Sequence, residues 1–327
     1  MELRSGFATV APGVDLHFKE SGAGNNVVVL VHGWPEFWFA WRKQINHIAS
    51  LGFRVIAIDL PGFGQSSAPT SLAGYSHKTV CGYLVNLLDF LGVDKGIFIG
   101  HDWGGSVVWK MALWQQHRVR AVAAFCTPYR PRSSKYLPIE AIAKMLPAFY
   151  YQVYFNKQGG QVAAAEIERD LPRFFKTMLR TSAKADSPGG RWVTNDKESF
   201  WGTLPSSLAR SPLITEAELQ RYIETYKKAG VLSSLKWYQT TKLNWEEEVD
   251  MPKVVQVPAL MVTAGKDKVL SKKLTAGMEA WVPLLKRGHI EEAGHWILVE
   301  QPEQANSILS GWLQSLNSSH APASSKL

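Results

Sequence analysis

The feature that most constrains this chain is an alternation of short apolar runs with segments of helical spacing. The runs Asn26 to Val31, Phe53 to Ile58, Gly96 to Ile99, Ala121 to Cys126 and Ala259 to Thr263 are rich in Val, Ile and Ala. Strands buried on both faces read this way, because neither face can carry a polar side chain. Between and after them, Glu36 to Ser50, Lys78 to Leu91, Gly105 to Gln116 and Pro302 to Leu316 carry apolar residues at helical spacing. Strand and helix in alternation predict a mainly parallel sheet flanked by helices, an α/β fold. The alternation stops near Pro131 and resumes near Pro252. The segment between reads as helices, one opening with a capping box of Thr215 and Glu218. This organisation predicts a core of residues 1–130 and 249–317, an inserted all-helical cap over residues 131–248, and a tail over residues 318–327. In open parallel sheets ligands bind beyond the carboxyl ends of the strands, so a cap there would enclose the site.

Composition excludes several classes. With 46% hydrophobic and 20% charged residues, the chain can bury a core and is not expected to be disordered. Its longest apolar runs fall well short of the ~18 residues of a membrane helix, so no membrane span is expected. Lys and Arg exceed Asp and Glu by 36 to 28, a net +8, yet the basic residues are spread along the chain and nucleic acid is not an expected partner. Two cysteines, Cys81 and Cys126, supply neither a disulfide framework nor a cysteine metal site, and the opening residues lack a secretory signal's apolar core. A reducing compartment is therefore expected.

The chemistry concentrates in Gly96-Ile-Phe-Ile-Gly100-His101-Asp102-Trp103-Gly104-Gly105. An apolar strand leads to a reactive side chain and then to a helix beginning with small residues, the pattern of a nucleophile elbow. The elbow usually holds Ser; here it holds Asp102. A carboxylate is already ionised near neutral pH and can displace a leaving group from sp³ carbon, forming an alkyl ester that must then be hydrolysed. His295, in the loop after the run Gly288 to Glu292, is the candidate base. Asp267, after the Ala259 to Thr263 strand, is the candidate acid that orients it. The chain order of nucleophile, acid, base is that of this elbow architecture. Backbone amides of Trp34 and Trp103 are the candidate oxyanion donors. His101 is expected to pack under the elbow, and Asp59-Leu-Pro-Gly62-Phe-Gly64 to shape a tight turn without chemistry of its own.

These motifs resemble the α/β-hydrolase fold, and most closely the epoxide hydrolases of the soluble, mammalian-like type. The resemblance is carried by His32-Gly-Trp-Pro-Glu36, Gly100-His-Asp-Trp-Gly-Gly105, Pro258 to Asp267 and Arg287 to Trp296. The mammalian enzymes carry an extra amino-terminal phosphatase-like domain without a counterpart in these 327 residues, and Trp34 stands where Phe is commoner. The resemblance implies two cap tyrosines that donate hydrogen bonds to the epoxide oxygen, matched here by Tyr151 and Tyr238, with Tyr150 and Tyr154 as neighbours of the same type. It also implies a substrate pocket including Trp34, Trp103 and Gln152. A lipophilic epoxide and water are then the expected reactants, with no metal or organic cofactor, in a monomer or homodimer. A haloalkane dehalogenase would share Asp102, His295 and Asp267 but needs N–H donors for its halide, and a noncatalytic receptor on the same fold is the alternative from another class. The final Ser325-Lys326-Leu327 reads as a peroxisomal address, implying an import receptor as partner and a peroxisomal location with a cytosolic fraction.

Overall fold

The computed structural model describes residues 2–195 and 198–318. The residues Ser325-Lys326-Leu327, and the expectation that rests on them, lie outside this range. Eight strands form one sheet: β1 (Arg4–Ala11), β2 (Val14–Ser21), β3 (Val27–Val31), β4 (Arg54–Ile58), β5 (Gly96–His101), β6 (Val119–Phe125), β7 (Ala259–Ala264) and β8 (Leu285–Ile290). Their order across the sheet is β1-β2-β4-β3-β5-β6-β7-β8. From β4 to β8 every pairing is parallel; β2 meets both β1 and β4 antiparallel. The central strands β3 and β5 are buried along their whole length, as their unbroken apolar runs require.

The hairpin of β1 and β2 has no counterpart in the sequence reading. It turns through Pro12 and Gly13, the latter with φ of 72°, and Val14, Leu16 and Phe18 alternate inward beyond it. A Pro-Gly turn between alternating runs is the signal that marks it. Two other expectations are corrected. The stretch Glu36 to Ser50 is not one helix, because Phe37 to Trp41 are buried all round and the Trp38 amide is taken by Asp59 Oδ1 at 2.7 Å. Only a single turn over Trp38–Trp41 and the short α1 (Ile45–Ser50) form. The strand expected at Gly288 to Glu292 lies at Leu285–Ile290, since pairing with β7 sets its register and Ala264 ends opposite Ile290.

Helices α2 (His77–Phe90) and α3 (Trp103–Trp114) follow β4 and β5. Between β6 and β7 the described residues form helices and loops only: α4 (Ile139–Met145), α5 (Tyr150–Phe155), α6 (Gln161–Glu168), α7 (Leu171–Met178), α8 (Glu216–Ala229), α9 (Leu232–Gln239) and α10 (Thr241–Glu247). The Thr215 and Glu218 capping box starts α8, with both reciprocal bonds formed. After β8 come α11 (Ile297–Glu300) and α12 (Pro302–Ser318). No described helix is long and apolar enough to cross a membrane.

This helical excursion is fastened to the sheet by buried polar contacts. Tyr222 of α8 donates to Glu36 Oε1 at 2.9 Å, the Arg42 guanidinium pairs with Glu218, and the Trp237 indole donates to the Pro61 carbonyl at 3.0 Å. Asp59 organises the loop after β4: beyond the Trp38 amide, it accepts from the Gln65 amide and contacts His17 Nδ1 at 2.7 Å.

Candidate active site

At the end of β5 the chain makes the sharp turn that the small residues foretold. Asp102 holds φ of 53° and ψ of −120°, a conformation that L-residues adopt only when their surroundings impose it. The imposition is steric and local. A Cβ on Gly104 would strike the Val31 and His32 carbonyls, and one on Gly33 would enter the Asp102 carboxylate itself. With these methyls absent, α3 packs against β3 and lifts the Asp102 side chain over the edge of the sheet. Thr127, following β6, donates to the Asp102 carbonyl at 2.6 Å and fixes the turn from the other flank.

The two oxygens of that carboxylate face different partners. Oδ1 accepts from the Trp34 amide at 2.8 Å, and the Trp103 amide also donates to the carboxylate. Oδ2 lies 3.8 Å from His295 Nε2, beyond direct hydrogen bonding. The opposite ring nitrogen, His295 Nδ1, is 2.8 Å from Asp267 Oδ2. Asp267 Oδ1 accepts from the Val269 and Leu270 amides at 2.9 Å each, so its carboxylate is held at both ends. His101 lies beneath, its Nε2 donating to the His295 carbonyl at 2.9 Å.

Electrostatics follow from this packing. Burial raises Asp102, opposed by His295 and the two amides, and leaves its carboxyl above the ordinary range. Burial also acts against a charged His295, but attraction to Asp267 and the hydrogen bond with it prevail, with Asp102 adding to them, and raise it to about 9. Asp267 answers in the opposite sense: burial pushes it up, and His295 with the two amides holds it well below the usual carboxylate range. His101, by contrast, is lowered to about 3 by burial and by the charge of His295, which keeps it neutral.

A cavity of about 750 Å³ opens over Asp102. Trp34, Asp102, Trp103, Tyr151, Gln152, Tyr238 and His295 line it together, and Asp267 sits behind His295, buried. Tyr151, on α5, and Tyr238, on α9, meet edge to face with ring centres 5.9 Å apart, and their hydroxyls share a hydrogen bond. Gln152 Nε2 donates to the Tyr151 hydroxyl at 3.1 Å. Burial, first, and the nearby Asp102 charge raise both phenols, so both keep their protons at neutral pH. Tyr154 points elsewhere, its hydroxyl donating to Glu166 at 2.8 Å. Neither it nor Tyr150 lines the cavity.

The sequence reading missed part of the wall. Phe149, Phe155, Met178, Trp192, Val269 and Leu270 complete an apolar lining. Apolar residues in loops and cap helices carry no pattern that separates a pocket wall from a core. Among the described residues one group, His101, Cys126 and His295, brings metal-ligand atoms within 4.8 Å of one another. Two of its nitrogens are already engaged, His295 Nδ1 with Asp267 and His101 Nε2 with the His295 carbonyl.

Comparison with known proteins gives consistent neighbours. A family model described as "alpha/beta hydrolase fold" matches residues 26–302. The "Bifunctional epoxide hydrolase 2" of Rattus norvegicus is 43% identical over 317 residues, 96% of this chain but 56% of that protein, so the chain spans little more than half the length of this relative. "Epoxide hydrolase A" of Mycobacterium tuberculosis is 34% identical and is matched over 95% of its length and 93% of this chain. Among solved structures, epoxide hydrolase A from Mycobacterium thermoresistibile superposes with a TM-score of 0.86 at 32% identity, covering 96% of this chain and 98% of that one.

Proposed function

The chain belongs to the α/β-hydrolase fold family, among its epoxide hydrolases, and from that membership we propose that it converts lipophilic epoxides to vicinal diols through a covalent ester on Asp102. The observation that carries this reading is the division of the Asp102 carboxylate. Oδ1 is held by an amide, whereas Oδ2 faces the cavity side occupied by His295. Oδ2 attacks a ring carbon, the C–O bond breaks, and the departing oxygen takes hydrogen bonds from Tyr151 and Tyr238. Oδ1, held by the Trp34 amide, becomes the ester carbonyl, and the Trp34 and Trp103 amides meet the negative charge that develops there when water attacks.

His295 removes a proton from that water. Its raised pKa belongs to the free carboxylate form of the site; forming the ester deletes the Asp102 charge and lowers the proton affinity of the ring, leaving Asp267 to hold its orientation. Collapse of the tetrahedral intermediate breaks the bond between the acyl carbon and the alkyl oxygen and restores the Asp102 carboxylate, and the two protons of the attacking water, one of them returned by His295, end on the two diol oxygens. The diol's new oxygen comes from the carboxylate, and water's oxygen enters the enzyme.

His295→Gln tests the division of labour. This variant is expected to consume one equivalent of a styrene-type epoxide and stop, heavier by one substrate mass on the peptide containing Asp102. No adduct, together with oxygen-18 from labelled water appearing only in the diol during a single wild-type turnover, would make Asp102 a general base and end the covalent reading. Peroxisomal import by way of Ser325-Lys326-Leu327 is also our proposal. Fluorescent fusions with and without these three residues should differ, the first punctate and the second diffuse; identical diffuse patterns would refute it.

A further inference from the structure

Trp103 and Ser106 border not only the catalytic cavity but a second one of about 340 Å³, at the seam between α3, the segment following β6, and α10. Its charges do not cancel. Lys110 and Glu248, both buried, pair at 2.8 Å and neutralise each other. Arg130 and Arg132 also line the cleft, and among the described residues neither meets a carboxylate. Arg130 gives Nε and Nη2 to the Leu274 carbonyl at 3.3 and 3.1 Å, and Arg132 gives Nε to the Trp245 carbonyl at 2.7 Å while lying 3.8 Å from the Trp245 ring centre. Carbonyls accept hydrogen bonds without neutralising charge, so two guanidiniums remain uncompensated, with N–H donors to spare.

A second observation comes from the inner wall. His77 lines the cleft and is 5% exposed, and neither ring nitrogen has a hydrogen-bond partner. Glu248 stands 4.0 Å from Nδ1, too far for a bond. Burial and the Lys110 charge lower the ring to about 3, so it is neutral and presents one unused donor and one unused acceptor. A buried polar group without a partner is costly to keep, and groups in that condition mark places where a ligand's polar atom can sit. Trp103 and Trp245, both partly exposed, add flat apolar surface.

We propose that this cleft binds an organic carboxylate with an apolar body: Arg130 and Arg132 take the carboxylate, the tryptophan rings take the body, and His77 offers a hydrogen bond on the inner wall. The acid has two possible sources. It is either a free ligand, or the acid end of an epoxide whose ring lies at Asp102, on the other side of the wall of Trp103 and Ser106 that the two cavities share. Only the second source rests on the function proposed above.

Calorimetric titration of the full chain with decanoate, and with decan-1-ol as the neutral control, reads the site directly. Decanoate is expected to bind more tightly than decanol, to weaken at high salt, and to weaken by about 10-fold in Arg130→Gln/Arg132→Gln. Arg130→Gln alone, at an exposed position, should lose part of that affinity, and circular dichroism reports whether each variant is folded. Equal decanoate affinity in wild type and both folded variants, or no decanoate binding to wild type, overturns the proposal. The sources separate by kcat/KM for an epoxy-substituted long-chain acid and its methyl ester. If the double variant loses activity on the acid alone, the cleft holds the substrate's end; if the acid-to-ester ratio is unchanged while decanoate binding is lost, it holds a free ligand. A protein that turns over no epoxide refutes the function reading, and calorimetry still decides the cleft.

Discussion

At the scale of single residues, packing decides where the protons of the candidate site lie. Tyr151, partly buried, and Tyr238, buried, are phenols beside a carboxylate, kept neutral and hence able to donate. Replacing either with Phe removes one of the two proposed donors to the departing oxygen while leaving His295 and Asp267 untouched. Each single change is expected to slow alkylation of Asp102 by roughly 10- to 1,000-fold, with the double change far slower and hydrolysis of a formed ester largely preserved. Stopped-flow tryptophan fluorescence separates the two steps. Unchanged alkylation in both single variants would remove these tyrosines from the mechanism. That Asp102, His295 and Asp267 would come together was legible in the sequence because they follow strands β5, β8 and β7, whose carboxyl ends share one side of the sheet. The identity of the tyrosines came only from resemblance, since Tyr154, at helical spacing from Tyr151, differs in nothing a sequence displays; the structure shows it bonded to Glu166 instead.

At the scale of elements, the same substitution has opposite consequences at two glycines. In α3, Gly104 lies against the backbone of the loop after β3, where a methyl collides with carbonyl oxygens. Gly104→Ala is expected to destabilise by about 1–3 kcal/mol and to displace the Trp103 amide. In α2, Gly82 faces open space, with no atom within 4 Å of a built Cβ, and Gly82→Ala should stabilise by about 0.5–1 kcal/mol. Denaturant unfolding of both variants checks the pair of signs, and a stable Gly104→Ala protein would show that the elbow tolerates a wider packing than its geometry implies. The core strands were legible because burial on both faces leaves no room for polar side chains. The β1 and β2 hairpin was not, because a half-exposed antiparallel pair alternates weakly and its Pro12-Gly13 turn resembles many loops. The stretch after Pro35 failed for the opposite reason: it is so apolar that helical spacing carries no information, and the Trp38 amide finds Asp59 rather than a helical carbonyl.

At the scale of the whole molecule, the helical excursion and the sheet meet through buried polar groups, and one of them makes stability depend on pH. Glu36, bonded to Tyr222 of α8, is raised by burial from 4.5 to about 7. The unfolded chain gives up this proton near 4.5 while the folded chain keeps it, so rising pH favours the unfolded state across that interval. Wild type is therefore expected to lose up to about 3 kcal/mol relative to Glu36→Gln between pH 4.5 and 7, and no more above it. Parallel stability curves for the two proteins, measured by urea unfolding at a series of pH values, would show that Glu36 ionises normally. The same junction reaches the candidate site. Trp34 donates its backbone amide to Asp102 and its indole N–H to Ser234 of α9, 3.1 Å away. One residue thus spans the junction, tying the Asp102 carboxylate by its main chain and α9 by its ring, so the seating of α9 and the position of that amide are set together.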